Sequence, residues 1–192
     1  MFLKNAERRL MNDPRVKAID DLTENVNYGD PPNPDILLEQ AKANFESLKD
    51  AVEILEKKAD DLIKYLGLGT GLVGVFLSYS VSNLKLSSVA LTFAGFLFWV
   101  FALILALSIR RPVGFHYPAP VDKAILFMKE YCDGPAALKL WLALSYEKAA
   151  LVHQIVGERK GRSLKWAYGL LILALALFFA NFILKSLGTG RS

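Results

Sequence analysis

The sequence predicts an all-α membrane protein, with three transmembrane helices and long cytosolic helices that form a coiled-coil-like bundle. Three observations predict it. Hydrophobic residues occupy 53% of 192 positions, more than is usual for a soluble domain of this length. The excess is concentrated at 65–82, 87–109 and 166–184, and none of these blocks carries an Asp, Glu, Lys, Arg or His. Each is close to the roughly 17–25 residues that cross about 30 Å of hydrocarbon. Finally, Leu38, Ala41, Phe45, Leu48, Val52, Leu55, Ala59, Leu62 and Leu66 are spaced alternately by three and four, the seam of a helix that packs on another helix.

Residues 1–33 read as short helices and a linker. Phe2, Leu3, Ala6 and Leu10 share one side of a helix, with Lys4, Arg8 and Arg9 elsewhere. Such a segment lies on anionic lipid or forms a frayed or partner-docked terminus. It has no apolar core of signal-peptide length and no glycine at position 2 for myristoylation. Asp13-Pro14 predicts a helix start, with Asp13 as the cap and Pro14 in the first helical position. Val16, Ile19 and Leu22 would be its apolar stripe. Gly29, Asp30, Pro31 and Pro32 make 25–33 a turn-rich linker.

Asn33-Pro34 repeats the start signal for a heptad helix over 34–64, and Asp35 and Glu39 suit the positive end of its dipole. Phe45, Leu48, Val52, Leu55 and Leu62 form the cytosolic seam. It packs against 136–164 of the same chain, or across protomers. Lys42, Glu46, Lys49, Asp50, Glu53, Glu56, Lys57 and Asp60 form the solvated face. No breaker follows. At about 1.5 Å per residue, a single rod roughly 70 Å long would run from cytosol into lipid.

Residues 65–109 read as a two-span hairpin. Gly67 and Gly71 form G-x-x-x-G, and Gly74, Ser78 and Ser82 continue at similar steps. Small residues at this spacing let helices approach closely in lipid. Gly67, Gly71, Gly74 and Ser78 are therefore the predicted helix-packing residues, toward another span or toward a second copy around a pore. Gly69 to Gly74 also matches G-x-G-x-x-G. That motif needs a preceding strand and an acid about twenty residues on, and neither is present. Residues 83–86 make a tight turn. The second span has Ala90/Ala94 and Ala102/Ala106 as small pairs and ends at Arg110-Arg111-Pro112.

Residues 110–164 form a cytosolic aromatic loop and helices. Gly114, Pro118 and Pro120 exclude a regular helix from the loop. Arg111 and His116 match the R-x4-H pattern of some helical ribonucleases, but Pro112 and Gly114 interrupt it. A short amphipathic helix is predicted over 121–131. Leu138, Leu142, Ser145, Ala149, Val152 and Val156 make a second seam. Gly157 and Gly161 weaken its last turns and mark a hinge. His153 has no carboxylate or cysteine at ligand spacing, so metal binding is not expected. Residues 165–192 give the third span, with Asn181 near its outer end, and a short external tail.

Near the block ends, Lys57, Lys58, Lys64, Arg110, Arg111, Arg159, Lys160, Arg162 and Lys165 fall on one side, against Lys85, Lys185 and Arg191 on the other. The positive-inside bias puts the N-terminus in the cytoplasm and the C-terminus outside, in a multi-pass protein of the cell inner membrane. Arg110, Arg111, Lys165 and Trp166 are the predicted interface anchors. With Cys132 as the single cysteine, an intrachain disulfide and a cysteine metal cluster are excluded. No nucleophile–base constellation, metal cluster or phosphate loop stands, so the chain reads as a non-enzyme without a cofactor or a nucleic-acid partner.

The order of elements carries a resemblance. Lys58-Ala59 precedes a close two-span hairpin, and Arg111-Pro112 closes it. A short aromatic helix follows, Ile125 to Tyr131. A long helix with Gln154-Ile155, Lys160 and Leu164-Lys165-Trp166-Ala167-Tyr168 then runs into the last span. This order, over about residues 50–185, resembles the small transmembrane effectors of bacterial anti-phage nucleotide signalling, the Pycsar transmembrane effectors and the related SLATT-type family. The resemblance implies a membrane-disrupting homo-oligomer in the lipid bilayer, triggered by a cyclic nucleotide or a cytosolic partner protein. No nucleotide-contacting residue carries over. A non-catalytic scaffold or accessory subunit of a membrane complex is the alternative, and a small ion channel a third, although the spans hold no charged ring.

Overall fold

A computed structural model of the chain describes residues 12–25, 33–81, 86–110, 118, 123–126 and 134–189. The amphipathic reading of 2–11, Arg111, the R-x4-H pair, Cys132 and most of 121–131 lie outside these residues. Among the described residues there is no strand. The helices are α1 (Pro14–Asn25), α2 (Pro34–Val81), α3 (Leu86–Ile109) and α4 (Pro135–Thr189).

Each start has a local cause. The Asp13 carbonyl accepts from the amides of Val16 and Lys17, while its side chain accepts from the Arg15 amide at 3.1 Å, which caps α1. Asn33 adopts φ 48°, a left-handed conformation that asparagine tolerates, and its carbonyl accepts from Leu37. Gly134 takes φ 145° ahead of Pro135, a backbone that only glycine adopts freely.

Two of the described helices are long and apolar enough to cross a membrane, one over Val89–Ile109 and the other within Pro135–Leu184. The 65–82 block is helical through Val81, and its side chains at 72 and 76–80 lie outside the described residues.

The chain divides into two compact units, with boundaries inside α2 and α4. One comprises Met1–Ile54 and Pro112–Arg159. There Phe45 packs with Ala149 and Ala150, and Val52 packs with Val16, Val152, Ile155 and Val156. Asp35 pairs with Lys139 at 2.6 Å, and Asn44 donates to Glu147 at 3.1 Å across 103 residues. The nearly constant separation makes α2 and α4 parallel in this unit. The first seam is therefore filled by the 136–164 helix of the same chain.

The other unit comprises Leu55–Arg111 and Lys160–Ser192. Trp99 lies against Gly69 and Arg110 against Asp60, so α3 runs antiparallel to α2. Asn181 meets Thr92 and Phe178 meets Gly95, so α4 runs antiparallel to α3. Its core contains Ala59, Leu62, Leu66, Trp99, Ala102, Ala106, Leu164, Ala167 and Phe178.

Candidate functional site on the helix seams

In the unit built from Leu55–Arg111 and Lys160–Ser192, each helix turns one stripe inward. On α2 it is Ala59, Leu62, Leu66, Gly69 and Val73; on α3 it is Thr92, Gly95, Trp99, Ala102, Ala106 and Ile109. On α4 it is Lys160, Leu164, Ala167, Leu171, Ala174, Phe178 and Asn181. All three alternate between steps of three and four. Small residues recur on these stripes, while Phe93, Phe101, Ile104, Ile172 and Phe179 are exposed. Large apolar side chains thus lie both on the inward stripes, as Trp99 and Phe178, and on the outer faces.

Polar pairs occur on and beside the stripes. Glu56 and Asp60 lie one turn apart on α2. Glu56 accepts from buried Lys160 of α4. Asp60 Oδ1 lies 2.7 Å from Arg110 Nε of α3, an ion pair whose angle falls outside hydrogen-bond geometry. Farther along, the Asn181 amide donates to Thr92 Oγ1 at 2.8 Å, and both side chains are buried. The middle of the stripes is closed by rings. A Cβ on Gly69 would lie 2.3 Å from Trp99 Cη2, and one on Gly95 would lie 2.9 Å from Phe178 Cε1.

The sequence-predicted packing residues sit elsewhere. Gly67, Gly71 and Gly74 are exposed, with nothing within 4 Å of a Cβ added to any of them. Ser78 is helical, and its side chain lies outside the described residues. Of the predicted seam, Phe45, Val52 and Leu62 are buried and Leu48 and Leu55 half-buried. Of the interface anchors, Arg110 is exposed and paired, Lys165 and Trp166 are exposed, and Arg111 is not described.

Gly157 and Gly161 do not interrupt α4. Cβ atoms there would meet Val52 at 3.5 Å and Leu55 at 4.0 Å respectively. Both are ordinary van der Waals contacts, and the glycines lie on a continuous helix rather than at the predicted hinge.

In the unit that contains α1, Phe45 meets the Tyr146 and His153 rings edge-on, with centroids 5.7 and 5.2 Å away. Lys148 pairs with Asp20 and Arg15 with Glu158 at 3.4 Å. The side-chain hydrogen bond from Arg15, aided by its amide, holds the Asp13 carboxyl below the usual carboxylate range. The same bond raises the Arg15 guanidinium above its ordinary value.

Thr92, Gly69, Trp99 and Lys160 had not been singled out as packing residues. The signal for Thr92 and Trp99 was the heptad phase running through Thr92, Gly95, Trp99, Ala102, Ala106 and Ile109, and that for Gly69 was the α2 seam continued past Leu66. Among the described residues no group of three or more His, Cys, Asp or Glu side chains is placed to hold a metal ion. The chemistry of the site is helix association through small residues, rings and paired polar groups. No protein-family model, curated protein or solved structure matches the chain.

Proposed function

We propose that this chain is a three-span protein of the cell inner membrane and a self-associating effector in anti-phage defence. It disrupts membrane integrity when a cytosolic signal, a cyclic nucleotide or a partner protein, is sensed. In this reading α3, the end of α4 and the end of α2 cross the bilayer. The charged parts of α2 and α4 lie in the cytosol as a coiled-coil-like bundle, and the C-terminus is outside.

One observation carries the membrane part. Phe93, Phe101, Ile172 and Phe179 are exposed on the apolar unit, and only 28% of the Val89–Ile109 helix is buried. The core helix of a soluble protein would be mostly covered. Lipid is the solvent that suits this distribution. Self-association is supported by the open space over Gly67, Gly71 and Gly74. The trigger rests on the resemblance to Pycsar and SLATT-type effectors.

The test is expression with and without cyclic nucleotides and phage infection, read with a membrane-potential dye. Depolarisation that depends on a trigger is expected, and none under any trigger rejects the effector reading. Labelling of a cysteine at Ser192 from outside is expected in a C132S background, and a cytoplasmic C-terminus overturns the three-span arrangement.

A second reading, a non-catalytic scaffold, is favoured by the filled seam. Phe45 and Val52 already have partners on α4. It predicts stable binding to another membrane protein and no toxicity alone.

A further inference from the structure

Lys160 is the one buried lysine or arginine among the described residues, with 7% of its side chain exposed. It lies on the inward stripe of α4 and pairs with Glu56 of α2 across 104 residues. Nothing in membrane anchoring or self-association requires a lysine here. An interfacial lysine would point its ammonium to water.

The surroundings explain how it is accommodated. Gly161 follows it, where a Cβ would lie 4.0 Å from Leu55 Cδ1. One turn on from Glu56, Asp60 is paired with Arg110 of α3. The neighbouring acid on the α2 face is thus already held by another helix.

The remaining stripe positions discriminate little between alignments. Ala59, Leu62 and Leu66 on α2 and Leu164, Ala167 and Leu171 on α4 are apolar residues at repeating steps. A slip of one heptad sets Leu66, Gly69 and Val73 in the places of Ala59, Leu62 and Leu66, which changes size but brings in no charge. It would also bury Lys160 against Ile63, which occupies the Glu56 position one heptad on. A buried charge without its partner is strongly unfavourable, and a single polar seam residue is an effective register device.

We infer that Lys160 and Glu56 are the specificity-determining pair that fixes the parallel register of α4 on α2. The pair excludes slipped and swapped pairings more than it adds stability. The inference does not depend on the proposed effector function.

The experiment uses the full chain in membranes, in a C132S background, with a short bifunctional thiol cross-linker. Leu55→Cys with Gly161→Cys reports the native register. Leu62→Cys with Gly161→Cys reports a one-heptad slip. With Lys160 and Glu56 intact, cross-linking of the native pair is expected and little of the slipped pair. K160M keeps the protein folded, since an apolar side chain of similar length fills the seam. It raises the slipped-to-native ratio roughly tenfold, as intrachain product or as dimer. The swap E56K with K160E restores the native ratio, whereas K160E alone does not. An unchanged ratio in K160M overturns the inference, as does failure of the swap to restore what K160E loses.

Discussion

The side-chain amide of Asn181 donates to Thr92 Oγ1 at 2.8 Å, joining, through their polar side chains, the two helices that are long and apolar enough to cross a membrane. In an apolar surrounding such a bond is worth about 0.6–2 kcal/mol. N181A is expected to destabilise the protein by that amount in detergent. The pair N181L with T92V is expected to lose less than the sum of the single changes, because neither then leaves a buried polar group unmatched. A double-mutant cycle on thermal unfolding checks this; strict additivity would show that the two side chains do not act together.

Gly69 and Gly71 are predicted to behave oppositely. A Cβ at Gly69 enters the wedged ring of Trp99, while one at Gly71 meets nothing. Overpacking of this kind typically costs about 1–3 kcal/mol. For a chain of this size that is a fall of roughly 2–12 °C in Tm. G69A should show it and W99L should relieve it. G71A should leave the monomer's Tm unchanged, and G71L should weaken self-association without altering the intrachain fold. Differential scanning of each variant, with sedimentation in detergent, separates these outcomes.

Val52 packs with Val152, Ile155 and Val156. Removing its two methyl groups leaves a cavity that the neighbouring helix cannot fill, a loss of about 1–3 kcal/mol. V52A should raise hydrogen exchange at amides 149–156 of α4. Similar exchange in both proteins would mean that this seam contributes little to holding α4.

The Asp13 cap supplies a pH dependence. Its folded carboxyl is held below the ordinary 3.8, mainly by the side-chain hydrogen bond from Arg15. A lowered value means the stabilisation is complete above the unfolded value. It is lost as pH falls through the folded one. The start of α1 should therefore fray below about pH 4, visible as faster exchange at the Arg15 and Val16 amides. D13N should keep the cap, since asparagine caps about as well, and remove the acid-side change.

The first seam was legible because polar residues contrast with apolar ones along 34–64, and all nine of its positions are at least half-buried. In α3 that contrast vanishes. Both faces are apolar, so hydropathy does not separate inside from outside. Ala102 and Ala106 read as minor small pairs, although they belong to one stripe with Thr92 and Trp99. Lys160 was hidden by its neighbours. Beside Arg159 and Arg162 it reads as one more interfacial charge, and only the position of Glu56 shows it turned inward. Gly69 continues the seam three residues past Leu66, and Trp99, a side chain 30 residues away, fills the space beside it.

The parallel alignment of α2 with α4 joins residues about a hundred positions apart, as in Asn44–Glu147 and Glu56–Lys160. A ribosome adds roughly 5–20 residues per second, so about 5–20 s separate the emergence of each helix from that of its partner. For that interval Phe45 and Leu48 lack their α4 partners, and Val52 has only Val16 in its own nascent chain. The nearest matching surface is the same stretch on the next ribosome along the message, so the timing of translation adds a second selection on which helices meet.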